Sequence, residues 1–269
     1  MKLIWNYPIL GLIQGALVLI GAPIFLCIDS AWLSQYCSWT QDFCNILMFG
    51  FYCSLLLTAK ERLFWLMLLM TVTGLIAEVL CSLVLNLYQY RLHNIPIYIP
   101  LGHAVIYAIV YYFSNHPLIW RFHKPLEQYL AKIAFIIVFI SLCMLQDVAG
   151  FLFYILFLFI LRARKKPLFG LIMFLTVYYI DIFGTIFSSW NYYGYLGTHP
   201  LLPHVARVPS GIGGIYLMLD MISNSIYYYT KKTGRHFRYN FGAYIKSTKN
   251  ITDSILTSPP RGNGVFNIK

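Results

Sequence analysis

Eight apolar runs, each near the length of a membrane-crossing helix, take up most of this sequence. They lie at about 8–28, 43–59, 63–87, 96–113, 129–145, 148–162, 167–189 and 209–229. A helix needs roughly 20 apolar residues to cross the hydrocarbon core of a bilayer. Hydrophobic residues make up 59% of the chain and charged residues only 11%, against about 25% charged in soluble domains. A water-soluble fold has no interior large enough to hide that apolar surface. The expected fold class is therefore an all-α polytopic membrane protein with about eight transmembrane helices. The transmembrane domain is expected over 1–230. Residues 231–269 read as a basic, flexible cytoplasmic tail, too polar to build a core.

The basic residues set the expected topology. With the N-terminus in the cytoplasm, the inner segments hold Lys2, Lys60, Arg62, Arg121, Lys124, Lys132, Arg162, Arg164, Lys165 and Lys166, while the outer loops hold only Arg91 and Arg207. That bias predicts an integral, multi-pass protein with both termini cytoplasmic. The net charge of +11 is then topology-setting charge that also attracts anionic lipid. No motif points to nucleic acid. Met1-Lys2 and the following apolar run lack a small-residue cleavage site and read as an uncleaved first helix.

Two stretches resemble each other. Pro100-Leu101-Gly102-His103-Ala104-Val105-Ile106-Tyr107 and Pro209-Ser210-Gly211-Ile212-Gly213-Gly214-Ile215-Tyr216 both read Pro-x-Gly-x-x-x-Ile-Tyr, at a shift of 109. Leu63-Phe64 and Thr71-Val72 match Leu168-Phe169 and Thr176-Val177 at 105, and Glu78 and Tyr90 match Asp181 and Tyr193 at 103. The common order suggests two four-helix repeats, over 1–115 and 125–230. An even number of spans makes such repeats parallel, about an axis along the membrane normal. Pro96 and Pro100 predict an extended or re-entrant entry over Ile95 to Pro100 with helix beginning near Pro100, and Pro209 is expected at the first position of the last helix.

Ionisable side chains inside a bilayer are costly and face a bundle interior or a wet cavity. Glu78, Asp181 and Asp220 are the three carboxylates within the apolar runs, and all fall in the spans expected to meet at the repeat axis. Helical spacing puts Thr71, Gly74, Glu78, Cys81 and Ser82 on one face, and Tyr178, Asp181, Thr185 and Ser188 on another. Gly213, Tyr216, Asp220, Ser223, Asn224 and Tyr227 form a third polar stripe. His103, opposite Glu78, is of the type that exchanges protons near neutral pH. Glu78, His103, Asp181 and Asp220 are the candidate catalytic residues. Arg91 and Arg207, lone basic residues on the avoided side, call for an anionic group, a lipid phosphate or a protein carboxylate. They join Tyr107, Tyr216 and Trp190 as candidate substrate-binding residues.

The six cysteines show no metal-ligand spacing, and Cys37 and Cys44 flank a loop where a disulfide is possible in an oxidising compartment. P-loop, dinucleotide and G-x-S-x-G signatures are missing from the sequence. The leading expectation is a membrane-embedded enzyme using cofactor-free acid/base chemistry on a lipid or isoprenoid, with its site in the extracytoplasmic half. Its partners would be membrane lipids and a hydrophobic or amphipathic small molecule. A small proton-coupled transporter or lipid flippase is the alternative, and a non-catalytic membrane subunit a third reading. The topology is checked by labelling intact cells with an impermeant maleimide. Cysteines placed beside Arg91 and Arg207 should react, and one beside Lys165 should not.

Overall fold

Every one of the eight apolar runs carries a helix in the structure, a computed structural model that describes residues 7–164 and 166–233. The chain divides into two compact units, Met1–Asn224 and Ser225–Lys269. In the first unit the helices are α1 (Tyr7–Ile28), α2 (Thr40–Thr58), α3 (Glu61–Glu78), α4 (Tyr98–Ser114), the short α5 (Pro117–Arg121), α6 (His123–Leu145), α7 (Val148–Arg162) and α8 (Pro167–Ile186). A further helix, α9, opens at residue 213 and runs to the end of this unit. A π-helical turn, Val79–Val84, follows α3 directly, and the three-residue strands β1 (Tyr88–Tyr90) and β2 (Trp190–Tyr192) follow α3 and α8. Of the second unit, residues 225–233 are described and are helical. The tail expected over 231–269 lies outside the described residues from 234 onward.

Four helical stretches, Gly15–Gln35, Glu61–Val84, His123–Leu145 and Pro167–Ile186, are long and apolar enough to cross a membrane, with Tyr98–Ser114 and Val148–Arg162 as shorter apolar helices. These mark an integral membrane protein.

The helix α4 is apolar on nearly every face, and such a helix must be enclosed by others. It is buried from His103 through Val110, with α1, α2, α3 and α8 packed around it. It starts two residues earlier than its prolines suggest. The Tyr98 N–H is taken by Asn45 Oδ1 at 2.9 Å, and Pro100 falls within the first turn, where a missing donor costs little. A separate core joins Ala134 and Val138 of α6, Tyr154, Phe157 and Ile160 of α7, Leu171 and Phe174 of α8, and Leu217 of α9. Glycine lets α9 approach closely here. A Cβ on Gly213 would lie 2.6 Å from Phe174 Cα.

Pro209 lies four residues ahead of α9 rather than at its first position, and the reason is Asp147. This fully buried carboxylate caps α7 through the Gly150 N–H at 3.1 Å and accepts from the backbone of Ala206 (3.1 Å) and from the Ser210 N–H (2.7 Å) and hydroxyl (2.8 Å). The segment before α9 is thus held open as a loop. Asp29, also fully buried, does the same for the segment before α4. It pairs with Arg91 at 2.6 Å and accepts from the Tyr98 hydroxyl at 2.7 Å. Both cysteines of the Cys37–Cys44 loop are free thiols, and the Cys44 thiol is turned inward to Phe25 O at 3.6 Å.

Four donors converge on Asp147, so Asp147→Ala leaves several buried groups unpaired. The variant should lose about 2–4 kcal/mol, reasoned from a lost cap and unsatisfied buried donors, measured as a lowered melting temperature in detergent. Asp42→Ala, on an exposed face, should melt unchanged.

Candidate functional site

A carboxylate near the end of an apolar helix is tolerable only if its oxygens are met by donors. Glu78 is the last residue of α3, and the π-helical turn after it sends the chain back across its own side chain. Wider turns of this kind are frequent at functional sites. Strand β1 follows, and its period of two turns Tyr88 and Tyr90 to one face while Gln89 is exposed on the other. Both phenols reach Glu78 Oε2, Tyr88 at 2.6 Å and Tyr90 at 2.5 Å. The remaining oxygen, Oε1, lies 2.8 Å from Nε2 of His103 on α4. His103 Nδ1 is buried with no hydrogen-bond partner among the described residues. Burial, with the neighbouring Glu78 charge next, holds both strand phenols well above their ordinary pKa, so they act as donors.

Asp181 on α8 is served by the other strand. The Trp190 indole donates to Oδ1 at 2.9 Å and the Tyr192 hydroxyl to Oδ2 at 2.7 Å. The partner is Tyr192 and not Tyr193, because alternation along β2 turns residues 190 and 192 to the same side. The strands pair antiparallel, Tyr88 with Tyr192 and Tyr90 with Trp190. Tyr88 meets Tyr192 edge-on at 5.2 Å between ring centres, and Tyr90 meets Trp190 at 6.2 Å. Four aromatic side chains therefore form one roof, and the two acids hang from it.

Under the roof lies a cavity of about 410 Å³, lined by both acids, His103, Tyr216 and otherwise mostly apolar side chains of α1, α2, α4, α8 and α9. That volume falls in the range of small-molecule sites. The Tyr216 ring stacks on His103 at 4.4 Å, and its hydroxyl has no hydrogen-bond partner among the described residues. Gly74 makes the close fit possible, since a Cβ there would lie 2.9 Å from the His103 ring.

Five of the expected site residues thus come together: Glu78, His103, Asp181, Trp190 and Tyr216. The other four do not. Asp220 is paired with Arg164 and accepts from Asn224 at 2.6 Å. Arg62 also reaches Asn224, at 3.3 Å, and the Tyr107 hydroxyl lies 3.5 Å from the same amide. This second cluster sits at the end of the bundle where α2 turns into α3 and α7 leads to α8. The spacing that puts Asp220 on one stripe with Tyr216 also moves it a turn away, about 6 Å along the axis. Arg91 has its anion within the protein, the Asp29 carboxylate, with further contacts to Asp29 O and Thr40. Arg207 is exposed on the loop before α9. Tyr88, Tyr90 and Tyr192 also join the site; which of the rim aromatics turn to the acids is not readable from the sequence, since three-residue strands leave no periodic pattern. Among the described residues no group of three or more His, Cys, Asp or Glu side chains converges as a metal site would require.

Against protein-family models, curated proteins and solved structures, the chain finds no match.

The His103 seat is sensitive to bulk. Gly74→Leu should destabilise by about 1–3 kcal/mol, as overpacking does. Gly50→Leu, where a Cβ meets nothing within 4 Å, should stay within about 0.5 kcal/mol. Paired thermal melts in one detergent check both.

Proposed function

We propose that this protein is a membrane-embedded enzyme of lipid metabolism that moves protons on and off a lipid or isoprenoid substrate. The observation that carries the reading is the Glu78–His103 pair, set at one end of an otherwise apolar cavity. His103 Nε2 and Glu78 Oε1, 2.8 Å apart, can pass a proton between imidazole and carboxylate. The Tyr216 hydroxyl, stacked beside it, is a second donor. Asp181, held from the other strand, serves as the opposite acid or base. Reactions that deliver one proton and withdraw another, such as isomerisation, cyclisation or hydration by solvent water, balance without a further reactant. The indole of Trp190 and the roof tyrosines position the two acids.

The reading includes eight spans, both termini in the cytoplasm, and two parallel repeats. In support of the repeat, α1–α2–α3–β1–α4 and α6–α7–α8–β2–α9 share one order, separated by α5. Glu78 takes its donors 10 and 12 residues later, and Asp181 takes its donors 9 and 11 residues later. Asp29 and Asp147 each pin the segment before the fourth helix of their half. The charge bias described above supports the orientation, which puts the roof on the outer side and the Asp220 cluster on the inner side.

That Asp220 cluster favours one rival, a proton-coupled transporter or flippase, because it places polar groups at the far end of the bundle as well. Lipid analysis of a deletion strain separates the two. A chemically distinct precursor accumulates if the protein is an enzyme, whereas the same compound redistributed between leaflets indicates transport. In that strain Glu78→Gln and Asp181→Asn should each lower function by about 100-fold or more, the scale of a lost general acid or base, with the protein still inserted and folded. Full activity in both would remove the cavity as the site.

A further inference from the structure

The cavity has two ends of opposite chemistry. Its deep end holds Glu78, Asp181, His103 and Tyr216. Its other end is bounded by Leu17, Gly21 and Ile24 of α1 and by Leu47, Met48 and Phe51 of α2, none of which carries a strong hydrogen-bonding group. Leu17, Ile24 and Leu47 are 59%, 61% and 48% exposed, so the same side chains form the cavity wall and the outer surface. At Gly21 a Cβ would meet nothing within 4 Å, and at Gly102 on the facing side of α4 only the tip of Met48, at 4.0 Å. The cavity therefore opens sideways, between α1 and α2.

The way α1 is fastened fits this opening. Pro23 sits inside α1 and has no N–H to give the carbonyl of Leu19 four residues back. The Tyr179 hydroxyl of α8 donates to that carbonyl instead, at 2.9 Å. At Leu19 the helix is thus tied on its α8 side, while toward α2 it is fastened nearer its C-terminal end, where the Cys44 thiol reaches Phe25 O at 3.6 Å. A gap between two helices of an apolar belt faces acyl chains, which admit hydrocarbon but no ion.

We propose that α1 and α2 frame a lateral portal through which a long, uncharged hydrocarbon or isoprenoid chain enters from the bilayer. Its reacting end reaches Glu78 and His103, while its body remains among the portal residues. The proposal rests on the enzyme reading of the same cavity. It adds the class of substrate, membrane-dissolved and without a charged head at the reacting end, and the route by which that substrate arrives.

The test uses the full-length protein in phosphatidylcholine vesicles and a long-chain isoprenoid alcohol carrying a diazirine at one end. After irradiation, labelled peptides are located by mass spectrometry. The expected result is label on the portal residues of α1 and α2 and on the deep-end segments around Glu78 and Tyr216, displaced by the unmodified alcohol. Gly21→Trp with Leu47→Trp should lower deep-end labelling at least tenfold. Leu57→Trp, on the same helix but outside the lining, should not. The single variant Leu47→Trp, a change on the outer surface, serves if the double variant melts early. Deep-end labelling that persists unchanged in the blocked variants overturns the portal and leaves the enzyme reading standing. Labelling that unmodified alcohol fails to displace shows indifferent filling by lipid and also overturns the portal. Absence of any label at the deep end of the unmodified protein overturns both.

Discussion

A carboxylate enclosed in an apolar bundle must be supplied with donors, and meeting that demand organises much of this protein. Four buried acids, Asp29, Glu78, Asp147 and Asp181, draw donors from the strands and loops between helices. Glu78 and Asp181 draw theirs from the two strands. Asp29 and Asp147 draw theirs from the segments that lead into α4 and α9. Removing the partner of a buried charge is far more damaging than removing a surface one. The loops of this protein are consequently as constrained as its helices.

The arrangement also separates the two polar regions. Glu78, His103, Asp181 and Tyr216 surround an apolar cavity whose polar atoms are few and directed inward. Asp220 is matched instead to Arg164, with Arg62 and Asn224 close by. A buried acid matched to an arginine is neutralised where it stands, whereas the acids under the roof are met by phenols, an indole and an imidazole. One cluster is an ion pair, and the other is a set of groups able to share protons. This difference in partners, more than depth or burial, distinguishes the candidate site from the Asp220 cluster.

Much of the bundle was legible in the sequence because apolar composition leaves few alternatives. The helices stand where the apolar runs predict them. Glu78, Asp181 and His103 stand out because ionisable groups are scarce in such runs. The features that the sequence leaves unreadable have the opposite property. Asp29 and Asp147 lie between helices, where an acid is ordinary, and nothing in their spacing reveals that both are fully enclosed. Arg91 was recognised as needing an anion, but its partner lies 62 residues earlier in the chain. Tyr88 and Tyr192 belong to strands too short to show alternation. Asp220 was grouped with Tyr216 because helical periodicity reports a shared face and is silent about depth.

The pairing of β1 with β2 has a consequence for how the protein comes into being. The strands are separated by about a hundred residues of chain, and among the described residues each pairs with the other alone. Until α8 and the turn after it have been made, β1 carries backbone groups that an apolar bundle cannot satisfy. Glu78 and its two tyrosines therefore wait, through the synthesis of the five helices α4 to α8, for the segment that closes the roof over them. Loop closure over such distance is slow compared with forming a helix.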